Sequence, residues 1–174
     1  IVNKSFPPNT DNWLLESGPF NAVVISSRAR LARNLPRIPF APRANNEQLR
    51  YVMDQVRQAL MRSPWFRDYQ ALELPDLPAP GRSFLRESHL ISAELEKGGI
   101  GREVFLSPGM DASIMVNEED HLRMTTLISG LRIDEAYERL RQMEEELEKE
   151  LALAYSEEFG YLTACPTNTG TGLR

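Results

Sequence analysis

The clearest periodicity lies between residues 133 and 155, where Ile133, Ala136, Leu140, Met143, Leu147 and Leu151 recur at three- and four-residue spacing and mark one apolar stripe of a helix. The stripe spans only about three heptads, so it reads as a domain helix rather than a coiled coil. A second amphipathic helix runs from Asn45 or Asn46, either a suitable cap, to Met61, with Leu49, Val52, Met53, Val56 and Leu60 on its apolar side. Shorter apolar runs predict strands at 22–26, 103–106, 112–116, 122–129 and 160–164. Pro36, Pro39 and Pro42 forbid a continuous helix and make 35–43 a constrained connection. Pro75, Pro78, Pro80 and Gly81 punctuate the next stretch, and 83–90 forms a helical turn leading into His89.

Residues 1–20 are rich in Pro, Asn and Ser, with little apolar pattern beyond Trp13, Leu14 and Leu15, and read as a lead-in arm. Residues 21–174 then form one domain. Helices and strands mix without regular βαβ alternation, so the expected class is α+β, an antiparallel-rich sheet flanked by helices.

Composition narrows this only a little. With 174 residues, 41% of them hydrophobic, the chain is large enough to bury a substantial core. Twenty basic side chains against 25 acidic ones give a net charge of −5, which advertises no nucleic acid partner. Cys165, the single cysteine, has no intrachain disulfide partner and suits a reducing compartment or a functional thiol better than a secreted, disulfide-stapled scaffold. No apolar run reaches the roughly 18 residues of a membrane span and the N-terminus lacks a signal peptide's apolar core, so the expectation is a cytoplasmic protein without a membrane partner. A chain that begins at Ile1 and stops at Arg174, just after a Gly-rich turn, is expected to be a fragment.

Three clusters carry candidate chemistry. Ser26-Ser27-Arg28-Ala29-Arg30 follows the first strand candidate, and period-two spacing sends the Arg28 and Arg30 guanidiniums to one face, where they can clamp an anion such as a phosphate chain. Asn117-Glu118-Glu119-Asp120-His121-Leu122-Arg123 puts three consecutive carboxylates between two strand candidates; they repel one another unless a cation offsets them, and a carboxylate here can hold a guanidinium. Cys165-Pro166-Thr167-Asn168-Thr169-Gly170-Thr171-Gly172-Leu173-Arg174 offers glycines for close backbone approach to an anion, with Arg174 adding charge. Each cluster also has a plain reading: a solvated basic strand end, an acidic turn with a packed His121, a buried small cysteine. There is no Walker A spacing, no nucleophile elbow and no metal-binding arrangement of His89 and His121, so arginines and carboxylates without a metal cage favour phosphoryl transfer.

In this order the three clusters resemble the phosphagen (guanidino) kinase family: its first nucleotide-binding arginine motif, its NEEDHLR signature and its CP[ST]N-x-G-T-x-x-R signature. The resemblance extends from about Phe20 to Arg174. It is closest to the bacterial protein arginine kinase branch, since only about twenty residues precede Ser26, where metabolite kinases carry a helical domain of roughly a hundred. Leu90-Ile91-Ser92 and Ser113-Ile114-Met115-Val116 also look like that branch.

The resemblance implies the glutamine synthetase-like catalytic fold of guanidino kinases, here its N-terminal portion, truncated at the C-terminus. It implies that Arg28, Arg30, Arg123 and Arg174 contact the ATP phosphates and that His89 lies near the base or ribose. Glu119 orients the acceptor guanidinium and takes up a proton, with Cys165 beside it. Ser27, Glu118, Asp120 and Asn168 are candidates for further nucleotide or acceptor contacts. Mg2+ is held by ATP phosphates and water rather than directly by protein. The implied activity is ATP-dependent phosphorylation of arginine side chains in proteins, linked to bacterial quality control and stress response. Implied partners are unfolded proteins, a CtsR-type repressor, the ClpC/ClpP system and an McsA-type activator, with a homodimer in the full-length protein. A kinase of free arginine or another guanidino metabolite, and an inactive nucleotide-binding module, are the alternatives. The family's second catalytic carboxylate and further nucleotide arginines lie in later segments, so this fragment alone is expected to be inactive.

Overall fold

A computed structural model describes residues 17–174, and the expected lead-in arm falls largely outside them. Its frame is one five-stranded sheet. The strands are β1 (Ser26–Arg33), β2 (Gln70–Glu73), β3 (Glu103–Leu106), β4 (Ala112–Val116) and β5 (Leu122–Ser129), and they lie in the order β1-β5-β4-β3-β2. Every neighbouring pair is antiparallel. Helices α1 (Asn46–Arg62), α2 (Ala79–Glu87), α3 (Ala93–Glu96) and α4 (Ile133–Glu148) connect and cover the strands, and a two-residue hairpin of β6 (Tyr155–Ser156) and β7 (Gly160–Tyr161) precedes the C-terminal loop. The α+β architecture is the expected one.

The register sorts the side chains onto two faces. On the first, Ala29 and Leu31 of β1, Met124 of β5, Ile114 of β4 and Phe105 of β3 meet Val52, Val56 and Ala59 of α1 and Leu140, Met143 and Leu147 of α4 in one buried core. The helical stripes therefore had a sheet to pack on. On the second face Val104, Leu106, Met115 and Leu127 pack beneath Leu85 of α2, Leu90, Ile91 and Leu95. The second core stops short of β1. Arg28, Arg30 and Arg123 have the parity of this face, so they emerge beside the second core rather than under a helix.

Local chemistry explains the helix starts. Asn45 caps α1, its side chain accepting from the Gln48 N–H while the Gln48 side chain accepts from the Asn45 N–H, a reciprocal capping box. Pro80 sits in the first turn of α2, where no amide hydrogen is required. The helix ends after Glu87, and the chain turns at His89 with a left-handed φ of 60°.

Several sequence expectations shift. The first strand is Ser26–Arg33 rather than 22–26: Ser26 to Arg33 pair with Ser129 to Leu122, while Val23 and Ile25 are exposed. Partner strand, not local hydrophobicity, sets the boundary, so the R-x-R pair lies inside a strand. The last long helix stops at Glu148 instead of 155, because Ala154 donates to the Asn34 carbonyl at 2.7 Å and accepts from the Leu162 N–H, which draws the chain into the hairpin. The expected strand 160–164 shortens to two residues, and edge strand β2 carries too little pattern to be foreseen.

Candidate active site

Three adjacent strands bring the arginines together. Arg30 lies on β1, and Arg123 on β5 pairs with Ala32, two residues along the same face. The C-terminal residues add a further short strand to β1: Arg174 and Arg30 exchange both backbone hydrogen bonds, at 2.8 and 2.9 Å, and Ala32 donates to the Gly172 carbonyl at 3.0 Å. Arg30 and Arg174 are thus directly opposite, with side chains on a common face. Gly172 permits this approach, having φ near +64° and standing where a Cβ would come within 2.4 Å of the Arg33 side chain and 2.7 Å of the Ala32 carbonyl.

The three guanidiniums, Glu118, Glu119 and Asn168 surround a cavity of about 150 Å³. Partial burial, then the like charges of Arg123, Arg28 and Arg174, push the Arg30 pKa down to about 10, against the opposing pull of Glu118. Positive charges so gathered disfavour one another until an anion joins them, and the planar fork of each arginine suits phosphate oxygens. Arg28, exposed one step up β1, extends the field.

The acidic loop separates three carboxylates into three environments. Asn117 starts it with a left-handed φ of 56°, its N–H donating to the His121 carbonyl and its side-chain amide to the carbonyls of Leu49 and Gly101. Glu118 is buried and accepts from Arg123 Nη1 at 2.8 and 2.9 Å. Burial works to raise its pKa, but hydrogen bonds from Ser92 and Arg123 and the Arg123 charge hold it below the ordinary value. Asp120 is buried as well, accepting from the Asn34 side-chain amide and the Ala164 N–H, each at 2.6 Å. Glu119 alone is exposed, and among the described residues its carboxylate has no ion-pair partner. A carboxylate left unpaired at the edge of an arginine-lined cavity can receive a cation.

His121 belongs to the frame. Its Nδ1 accepts from the Leu35 N–H at 3.0 Å, which requires a neutral ring, and Nε2 then donates to the Pro39 carbonyl at 2.9 Å. Burial pushes its pKa down. Asn34 ties the clusters together, donating to Asp120 and the Leu162 carbonyl and accepting from the His121 N–H. Arg33 does the same from the opposite face, paired with Glu144, donating to the Thr171 carbonyl at 2.9 Å and lying 3.5 Å above the Tyr161 ring centre. The sequence reading missed both as positioning residues, although Arg33 and Asn34 form a polar pair directly after Leu31 and Ala32 in the same segment as the arginine pair.

Residues 51–174 match the model of ATP:guanido phosphotransferase, C-terminal catalytic domain. The chain belongs to that family. It is similar over its whole length, at 41% identity, to the protein-arginine kinase of Halothermothrix orenii, covering 48% of that protein. Against the protein-arginine kinase of Moorella thermoacetica identity is 44% over 165 residues, 93% of this chain and 47% of the relative. The chain spans about half the length of the curated relatives it matches. In fold it is similar to the duplicated taurocyamine kinase of Schistosoma mansoni, solved with transition state analog components: the TM-score is 0.82 at 23% identity over 99% of this chain and 26% of that one.

Within this phosphotransferase domain most sequence-derived candidates converge. Arg30, Arg123, Arg174, Glu118, Glu119, Asp120 and Asn168 all line the one cavity. Asn168 Oδ1 is buried without a hydrogen-bond partner among the described residues. Cys165 is half-buried, its Sγ 3.0 Å from the Thr167 hydroxyl, which also accepts from Arg174. It follows Ala164, the residue held by Asp120. His89 is exposed on the turn after α2, and the next residue, Leu90, accepts from Ser113 at 2.8 Å. Ser113, Thr125 and Arg30 lie in one cross-strand row, so Ser113, which anchors the residue after His89, stands about two strand spacings, roughly 10 Å, from Arg30 across the sheet. Ser27 is not brought to the site. It points to the opposite face, donating to the Gly130 carbonyl and accepting from the Arg132 N–H. Among the described residues no three His, Cys, Asp or Glu side chains gather as a metal cage, and no helix is long and apolar enough to cross a membrane.

Proposed function

We propose that this chain is the phosphate-gripping and acceptor-presenting part of an enzyme that phosphorylates arginine side chains of proteins with ATP. The observation that carries the reading is the cavity with Arg30, Arg123 and Arg174 on one wall and unpaired Glu119 on another. Relatives named protein-arginine kinase, at 41 and 44% identity, favour a protein acceptor.

In this reading a nitrogen of the acceptor guanidinium forms a bond to the γ-phosphorus. The bond to the β,γ-bridging oxygen breaks, and ADP leaves with that electron pair. The guanidinium loses one proton. Glu119 orients it by charge-assisted hydrogen bonds and takes the proton. Arg30, Arg123 and Arg174, with Arg28 adding field, hold the phosphates and offset charge developing on their oxygens. Glu118 keeps Arg123 in position, and Cys165 and Asn168 flank the acceptor. Bound Mg2+ supplies further charge neutralisation through phosphates and water, since it dehydrates reluctantly. Unfolded proteins and a CtsR-type repressor are the proposed acceptors.

The test is transfer of labelled γ-phosphate by the intact parent protein to an unfolded protein and to free arginine. Acid-labile label on protein arginines supports the reading. Label on free arginine alone replaces it with a metabolite kinase, and no transfer with retained ATP binding replaces it with a regulatory module.

A further inference from the structure

Glu118 and Glu119 also line a second, larger cavity of about 460 Å³ into which Arg30, Arg123 and Arg174 do not reach. Its other walls come from connections on the α1 side of the acidic loop. Ala41 and Pro42, from the short 3-10 turn Ala41–Arg43, and Leu49 of α1 supply apolar surface. Glu94 of α3, Arg102 and Asn117 complete it.

The charges here are unequally free. Arg102 is already spent, donating to the carbonyls of Asn117, Glu94 and Gly98 and to the Glu94 carboxylate. Glu118 is held by Arg123. The unpaired group is Glu119; Glu94, exposed at the rim, is already paired with Lys97 and Arg102. The cleft is therefore apolar along one wall and anionic where it meets the phosphate cavity. Its volume falls in the few-hundred-Å³ range of ligand sites.

We infer that this cleft seats the aliphatic stem of the acceptor arginine and the residue next to it in a protein substrate, and that Pro42 and Leu49 select the neighbour. The inference rests on the protein-arginine reading above. Three observations favour that occupant over a second nucleotide or a metabolite: the wall shared at Glu119 with the arginine-lined cavity, the anionic junction complementary to a guanidinium, and an apolar wall beyond it. The consequence is sequence preference. An apolar neighbour can cover Pro42 and Leu49, whereas an acidic one meets the unpaired Glu119 with like charge.

The experiment uses the full-length kinase, short single-arginine peptides with Leu or Asp beside the arginine, and free arginine. Wild type should favour the Leu peptide by about tenfold in kcat/KM. Pro42→Trp, which fills the cleft from an exposed position, should raise KM for the Leu peptide by about fivefold or more with kcat within about twofold, the pattern of lost uniform binding. Leu49→Phe is the second variant, and circular dichroism with ATP affinity confirms that each is folded. Peptide phosphorylation with KM within about twofold of wild type in both variants would overturn the cleft assignment alone. Label on free arginine with none on either peptide overturns both this inference and the protein-acceptor reading.

Discussion

The two faces of the sheet use the same strands for opposite purposes. Toward α1 and α4, β1 contributes Ala29 and Leu31 to a sealed core; one residue over, on the face of α2 and α3, it contributes Arg30 to an open cavity and Arg28 to the exposed surface beside it. On the first face Ala29 and Leu31 meet mainly apolar side chains, and burial itself is stabilising. On the second face the apolar core stops short of β1, and there Arg30 meets the like charges of Arg123 and Arg174, which disfavour its charged form until an anion arrives. The sealed face carries the stability that allows the strained one to exist.

The largest effect expected on the sealed face is from Leu140→Ala, which removes a fully buried side chain between α4 and the sheet and should cost about 2–5 kcal/mol in urea denaturation of the intact protein. Arg30→Ala should leave stability within about 0.5 kcal/mol or raise it, because it relieves repulsion. A loss as large as that of Leu140→Ala would break the contrast between the faces.

Within the open face, Glu119→Gln should slow single-turnover transfer by about a hundredfold, near 2.7 kcal/mol, with ATP affinity little changed. Asp120→Asn sharpens the comparison with its neighbour: it weakens the links to Asn34 and Ala164, so its first symptom should be a lowered unfolding midpoint. Arg30→Ala and Arg123→Ala should each weaken ATP binding about tenfold or more by calorimetry, with lysine rescuing poorly wherever two phosphate contacts are needed. Unchanged affinity in both would return the cluster to a solvated basic edge.

The smallest expected effect is on pH. His121 is neutral in the fold and its pKa is depressed below 6.5, so as pH falls through 6.5 the unfolded chain binds a proton first and stability declines toward the folded value. Unfolding midpoints at pH 7.5 and 5.5 should differ, and His121→Gln should flatten the His121-dependent part of that slope. An equal slope in the variant would remove His121 from the frame.

Both amphipathic helices, three of the five sheet strands and the three chemical clusters were legible because each depends on near neighbours in sequence: a stripe, an alternation, a run of carboxylates. The fates of Glu118, Glu119 and Asp120 were not legible, since three adjacent acidic residues look alike until Arg123, solvent and Asn34 each claim one. Nor was the true start of β1, which awaited β5 as its partner. The sequence by itself determined which side chains are available for phosphate and guanidinium chemistry, because charge and hydrogen-bonding capacity belong to the residue. Only the tertiary structure decided that Arg30, Arg123 and Arg174, far apart along the chain, share one cavity. That convergence depends on long-range strand pairing, which fixes the face and distance of every side chain at once.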